Sequence, residues 1–167
     1  MAQGNSRVDW GIHGNTAWYS YLVCGDDSPA AGGGNFGING ATTTQILGRT
    51  DEALAAKPDI LVVNGGTNDL ARSVPTPQIV DNLRAILERA REVDTVVIAT
   101  VPSARTVSAD ELNRDIRALA SERGIAVAEF APLLVRPGAT FDGVHPTAKT
   151  AADMAAEVAT AVGIAGN

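Results

Sequence analysis

The chain has 167 residues, 45% hydrophobic, 19% charged and only 4% aromatic, and its net charge at neutral pH is −6. That length suits one domain (residues 1–167) with a substantial core built mainly from Ala, Val, Ile and Leu. The acidic balance and the scattering of the thirteen Lys and Arg argue against a nucleic-acid partner, which needs clustered cations. A single cysteine, Cys24, excludes an internal disulfide and a Cys-based metal site.

Met1–Ser6 lacks the charged and apolar regions of a signal peptide. This predicts a cytoplasmic protein, or a secreted one if an upstream signal has been removed. A helix is expected around Asn15–Val23, followed by a loop over Gly25–Gly34, where Gly, Asp, Ser and Ala cluster. Cys24 reads as a small buried apolar side chain. A further helix is expected over Thr43–Ala56. Asp59–Asn64 is a β-branched apolar run bounded by Pro58 and Gly65-Gly66, and predicts a buried strand. Pro77–Val93 carries Ile79, Val80, Leu83, Ile86, Leu87 and Ala90 at helical spacing. Asp94–Thr100 predicts the next strand. Ser108 and Glu111 form the pattern of a capping box for a helix ending before Gly124. Ile125–Phe130 predicts another strand. The last helix is expected over Pro146–Val162, with Pro146 at its first position. Strands alternating with helices point to a doubly wound, three-layer α/β sandwich, whose site lies outside the carboxyl ends of the strands. No stretch reaches the roughly 18 apolar residues that would span a bilayer.

Four motifs fall at such positions: Gly4-Asn5-Ser6, Asn35 to Thr42, Gly65-Gly66-Thr67-Asn68-Asp69, and Asp142-Gly143-Val144-His145-Pro146. In the last, a carboxylate three residues before an imidazole can meet its Nδ1–H, fixing the tautomer and stabilising the imidazolium. A helix entry with a solvated His145 fits the same residues. Asn68 follows the strongest strand, where its amide can donate to a developing oxyanion, although Gly-Gly and Asn-Asp also make plain turns. Gly40 permits close approach of a backbone N–H to a ligand, while Thr42 or Thr43 would serve equally as helix caps.

Taken in order, these motifs resemble the GDSL/SGNH hydrolase family of small serine esterases and lipases. Gly66-Thr67-Asn68-Asp69 matches its Gly-x-Asn-Asp block, Asp142 to His145 matches Asp-x-x-His with Pro146 following, and Asn35–Gly40 resembles its second block. Gly4-Asn5-Ser6 stands where the family has Gly-Asp-Ser, with Asn replacing Asp and only three residues before it. Gly25-Asp26-Asp27-Ser28 is a decoy, since Ser28 lies too close to Asn35 for the intervening helix and strand. Asn5 can still accept and donate hydrogen bonds in that loop.

The resemblance implies a flavodoxin-like α/β/α sandwich around a mostly parallel five-stranded sheet. It implies Ser6 as nucleophile, His145 as base and Asp142 as its orienting partner. The Ser6 N–H, the Gly40 N–H and the Asn68 amide would form the oxyanion hole, with no cofactor and no metal. The expected partner is a small ester, of short acyl or acetyl groups, on a simple alcohol, a carbohydrate or a lipid. Trp10, Trp18, Tyr19 and Tyr21 could stack on a sugar ring or pack in the core. His13 has no motif around it. The alternatives are a non-catalytic binding module on this fold and a lysophospholipase- or thioesterase-type hydrolase. A nucleotide binder would need a phosphate-binding Gly-rich fingerprint, and Gly32-Gly33-Gly34 does not supply one.

Overall fold

The computed structural model describes residues 2–4, 17–23, 30–103 and 107–164. Asn5, Ser6, Trp10, His13, Cys24 and Gly25–Ser28 lie outside the described residues. The strands are β1 (Ala2–Gly4), β2 (Asn35–Gly37), β3 (Ile60–Asn64), β4 (Thr95–Ala99) and β5 (Ala126–Ala128). All four pairings are parallel, in the spatial order β2-β1-β3-β4-β5. The helices are α1 (Trp18–Val23), α2 (Thr43–Gly48), α3 (Thr50–Ala55), α4 (Thr67–Ala71), α5 (Thr76–Arg89), α6 (Asp110–Arg123), α7 (Phe130–Leu134) and α8 (Ala148–Ala161).

Successive strand residues point to opposite faces, and each face carries its own core. Leu61, Val63 and Ile98 pack with Ile46, Leu83 and Ile116 under α2, α5 and α6. Val62, Val97 and Ala99 pack with Trp18, Phe130 and Met154 under α1, α7 and α8. This is why the strands read as continuous apolar runs instead of alternating ones. β1 is only three residues long, yet it sits between β2 and β3 with all three residues buried. Its stability comes from pairing on both edges and from the Gln3 side chain, which donates to the Ile46 carbonyl at 2.9 Å.

Four boundaries differ from expectation. The helix expected over Thr43–Ala56 breaks at Arg49. The Ile46 carbonyl that would accept the Thr50 N–H is instead taken by Gln3 Nε2, the Thr50 hydroxyl and the Arg49 N–H. Ser108 does not cap α6 by a box with Glu111. Its hydroxyl accepts from the Asp110 N–H two residues on, and the helix begins at Asp110. Gly124 does end it, in the left-handed conformation at φ 65°. Pro146 is not in the last helix, because Thr147 is extended and caps it, accepting from the Thr150 N–H. The strand expected to reach Phe130 stops at Ala128, and Phe130 opens α7.

Gly66 is where the chain leaves β3 and turns into α4, at φ 120°. A Cβ there would lie 2.9 Å from the Leu112 Cδ2 atom. Strained backbone and overpacking each cost about 1–3 kcal/mol, so Gly66→Ala is expected to lower stability by about 2–4 kcal/mol. Urea denaturation measures this, and a loss below about 0.5 kcal/mol would mean that the turn relaxes freely.

Candidate functional site

The sheet itself brings motifs together. The register pairs Gly4 with Gly37 on one side and with Asn64 on the other. The chain therefore leaves β1, β2 and β3 at one level, immediately before Ser6, Gly40 and Asn68 in sequence. The fourth motif reaches the same edge through α8. Val158, Val162 and Ile164 share a cavity with Pro58 and Ile60, so the end of α8 lies at the amino ends of the strands. Its beginning, preceded by His145, lies at the carboxyl ends.

Two loops at this edge are tied to each other. Ile38–Ala41 forms a turn closed by the Ala41 N–H on the Ile38 carbonyl at 3.1 Å, with Gly40 at φ 71°. Among the described residues, the Gly40 N–H donates to no protein acceptor. Asn68 Nδ2 donates to the Ala41 carbonyl at 2.9 Å. An amide has two N–H donors, and this bond fixes the side chain while using one. Asp69, fully buried, completes the tie. Its carboxylate accepts from the Thr43 N–H at 2.9 and 3.1 Å and from the Thr43 hydroxyl at 2.7 Å. Burial pushes the Asp69 carboxyl up, and the Thr43 bonds and the Arg72 charge offset this only in part. Of the two threonines considered as caps, Thr42 precedes α2, and its N–H donates to Gln45 Oε1 at 3.0 Å.

Asp142 and His145 meet. The imidazole Nδ1 lies 2.6 Å from Asp142 Oδ2, while Oδ1 accepts the Val144 N–H at 2.9 Å and the His145 N–H at 2.7 Å. The His145 side chain is 16% exposed and that of Asp142 is 40% exposed, so the imidazole is not a solvated surface group. Partial removal from water raises the Asp142 carboxyl, but the two backbone N–H donors and the imidazole outweigh that. They hold it well below the usual carboxylate range. The loop is closed at its base by a bridge between Thr140 and Pro146, by the Phe141 N–H on the His145 carbonyl and by the Thr147 N–H on the Ala139 carbonyl. Gly143, at φ 83°, makes the tip. Chemically, this is an imidazole held in one tautomer with an acceptor behind it, which can take and return a proton.

Several contributors carried no sequence signal of their own. Asp69 was visible only as the last letter of Gly-x-Asn-Asp. Asn113 pins the chain after β4: its amide accepts from the Val101 N–H and donates to the Val101 carbonyl, both at 2.8 Å. Phe141 stacks beside His145, with ring centroids 5.9 Å apart and planes at 22°. Trp18 and Tyr19 are buried in the core, so of the aromatic cluster these two pack rather than face a ligand. Tyr21 is half-buried on α1, and Trp10 lies outside the described residues. No group of His, Cys, Asp and Glu among the described residues could hold a metal ion, and no described helix is long and apolar enough to cross a membrane.

The model of the GDSL-like lipase/acylhydrolase family matches residues 2–152. No curated protein matches the chain. Solved structures match it over nearly their whole length. A G-D-S-L family protein from Desulfitobacterium hafniense DCB-2 is 21% identical with a TM-score of 0.83, over 96% of this chain and 97% of that one. LAE5, an alpha/beta hydrolase from the metagenome of Lake Arreo, is 18% identical with a TM-score of 0.81, over 99% and 95%. Axe2, an acetylxylan esterase from Geobacillus stearothermophilus, is 20% identical with a TM-score of 0.79, over 97% and 92%. At these identities the structural likeness establishes the fold.

Proposed function

The chain belongs to the GDSL-like lipase/acylhydrolase family, and we propose that it is a serine hydrolase of short-chain or acetyl esters, working through an acyl-enzyme on Ser6. The observation that carries this reading is the Asp142–His145 pair at 2.6 Å, at the strand edge where the chain passes from β1 to Ser6. His145 takes the proton from the Ser6 hydroxyl as Oγ bonds to the ester carbonyl carbon. The resulting oxyanion is met by the N–H groups of Ser6 and Gly40 and by the second N–H of the Asn68 amide. The carbonyl re-forms as the carbon–alcohol bond breaks, and His145 passes its proton to the departing alcohol. Water then repeats the sequence on the acyl-enzyme, releasing the acid and restoring the Ser6 hydroxyl. Asp142, held ionised by its donors, keeps the imidazole Nδ1 protonated throughout.

A serine as nucleophile is supported by one structural neighbour, a serine-to-alanine catalytic mutant of the acetylxylan esterase. Preference for small acyl groups is supported by that enzyme's substrate, and by a length that matches its neighbours' and leaves few residues for a lid.

A fluorophosphonate probe tests the reading directly. The wild-type chain is expected to take one label at Ser6, and Ser6→Ala none. p-Nitrophenyl esters of increasing acyl length should then be turned over fastest at the acetyl end. A folded wild-type chain that takes no label and cleaves no ester would leave a binding module in its place.

A further inference from the structure

We propose that Phe141 is a specificity-determining residue on the leaving-group side of the site, selecting esters whose alcohol is a ring with an apolar face. The inference rests on the catalytic reading of His145 and deepens it. An alcohol that receives its proton from His145 must bring its oxygen within about 3 Å of the imidazole. The Phe141 ring is centred 5.9 Å from that imidazole and lies nearly parallel to it. A six-membered ring attached to that oxygen and turned toward this side of the imidazole meets the phenyl group, whereas the ester carbonyl oxygen is directed at the oxyanion donors of the Gly40 and Asn68 loops.

Exposure gives the second argument. Phe141 is 55% exposed, and Val144 on the same loop is 37% exposed, so apolar surface flanks the proton donor instead of joining the core. The backbone beneath the ring is already fixed, since the Phe141 N–H donates to the His145 carbonyl and the Thr140–Pro146 bridge closes the loop. Little conformational freedom is lost when a ligand stacks there. The negative face of a phenyl ring suits the positive C–H face of a pyranose or the edge of an aryl alcohol. Trp18 and Tyr19 cannot serve this purpose, because both are buried.

The test uses esters that share the acetyl group and differ in the alcohol: ethyl acetate, phenyl acetate and a mono-acetylated methyl xyloside. A stacked aromatic pair is worth about 0.5–1.5 kcal/mol beyond buried area, so Phe141→Leu should lower the ring-to-ethyl ratio of kcat/KM by about 2- to 13-fold. Phe141→Tyr should restore it. A fall confined to phenyl acetate assigns the subsite to aryl alcohols, and one confined to the xyloside assigns it to sugars. Equal losses on all three esters, or an unchanged ratio, would overturn the proposal. A second arm needs no turnover: on Ser6→Ala, saturation transfer from protein to the ring protons of phenol and methyl xyloside is expected, and is expected to fall with Phe141→Leu added. If the wild type cleaves no ester but this transfer depends on Phe141, the catalytic reading fails and ring binding stands. Transfer that ignores the Phe141 change would sink ring binding whatever the activity.

Discussion

Asp142→Asn is expected to lower kcat by about 10⁴ while leaving the fold intact, because it reverses the tautomer of His145. The two carboxylate oxygens do different things. Oδ1 takes both backbone N–H groups, from Val144 and His145, and Oδ2 alone faces the imidazole. In the asparagine variant the amide oxygen stays at Oδ1, since an NH₂ placed there would oppose two donors. The amide nitrogen then faces Nδ1 and donates to it. Nδ1 becomes the acceptor, the ring proton moves to Nε2, and Nε2 can no longer take a proton from the proposed nucleophile, Ser6. Retention of the two loop bonds predicts little change in the urea midpoint. Steady-state turnover of p-nitrophenyl acetate, with far-ultraviolet circular dichroism as the folding control, checks both halves. A fall of less than about 10-fold would show that His145 needs no partner behind it, and the triad would reduce to a pair.

The same residues show what a sequence can and cannot carry. The spacing of Asp142 and His145 announces a contact because a three-residue turn leaves few alternatives. The continuous runs Asp59–Asn64 and Asp94–Thr100 announce buried strands because both faces of a parallel sheet are covered. Ala2-Gln3-Gly4 announces almost nothing. Two of its three residues have low strand propensity, and its place in the middle of the sheet comes from neighbours more than 30 residues away in sequence. The break at Arg49 is likewise tertiary, since a side chain from β1 takes a carbonyl that the helix would have used. Aromatic residues mislead in both directions. Trp18 and Tyr19 look like a ligand platform and pack under α8, whereas Phe141, a lone ring with no spacing pattern, stands beside the imidazole. Sequence motifs thus report the groups proposed to do chemistry. What holds them is visible only once the loops have been brought together: the tie from Asp69, a motif residue, to Thr43, and Asn113, which no motif includes.

Asp69 is the holder whose loss should matter most for stability. It is fully buried and ties the loop before α2 to the turn that carries Asn68. Asp69→Ala strands the Thr43 N–H away from water and leaves the Thr43 hydroxyl, which still accepts from Asn82 Nδ2 at 3.0 Å, with nothing to donate to, at about 1–3 kcal/mol for each unsatisfied donor. The expected loss of stability is about 2–4 kcal/mol, which in a chain of this size is a fall in Tm of roughly 5–15 °C. The pH dependence has a definite sign. Because burial raises the Asp69 carboxyl in the folded state, the native protein binds more protons than the unfolded chain between the unfolded and folded pKa values. Stability from this group is therefore complete below the unfolded pKa, about 3.9, and declines as pH rises through the folded one. The gap between wild type and Asp69→Ala should be widest near pH 4 and narrower at pH 7. Asp142 titrates with the opposite sense, its stabilisation being lost as pH falls, but it is common to both chains and cancels in the difference. Asp69→Asn keeps an acceptor for Thr43 without titrating. It should lose less stability than the alanine variant at every pH, while its difference from wild type follows the same slope. Urea denaturation of the three chains at pH 4, 5.5 and 7 measures this. A gap that widens toward neutral pH would mean that Asp69 works as a stabilised carboxylate, and that its charge, rather than its hydrogen bonds to Thr43, holds the two loops in place.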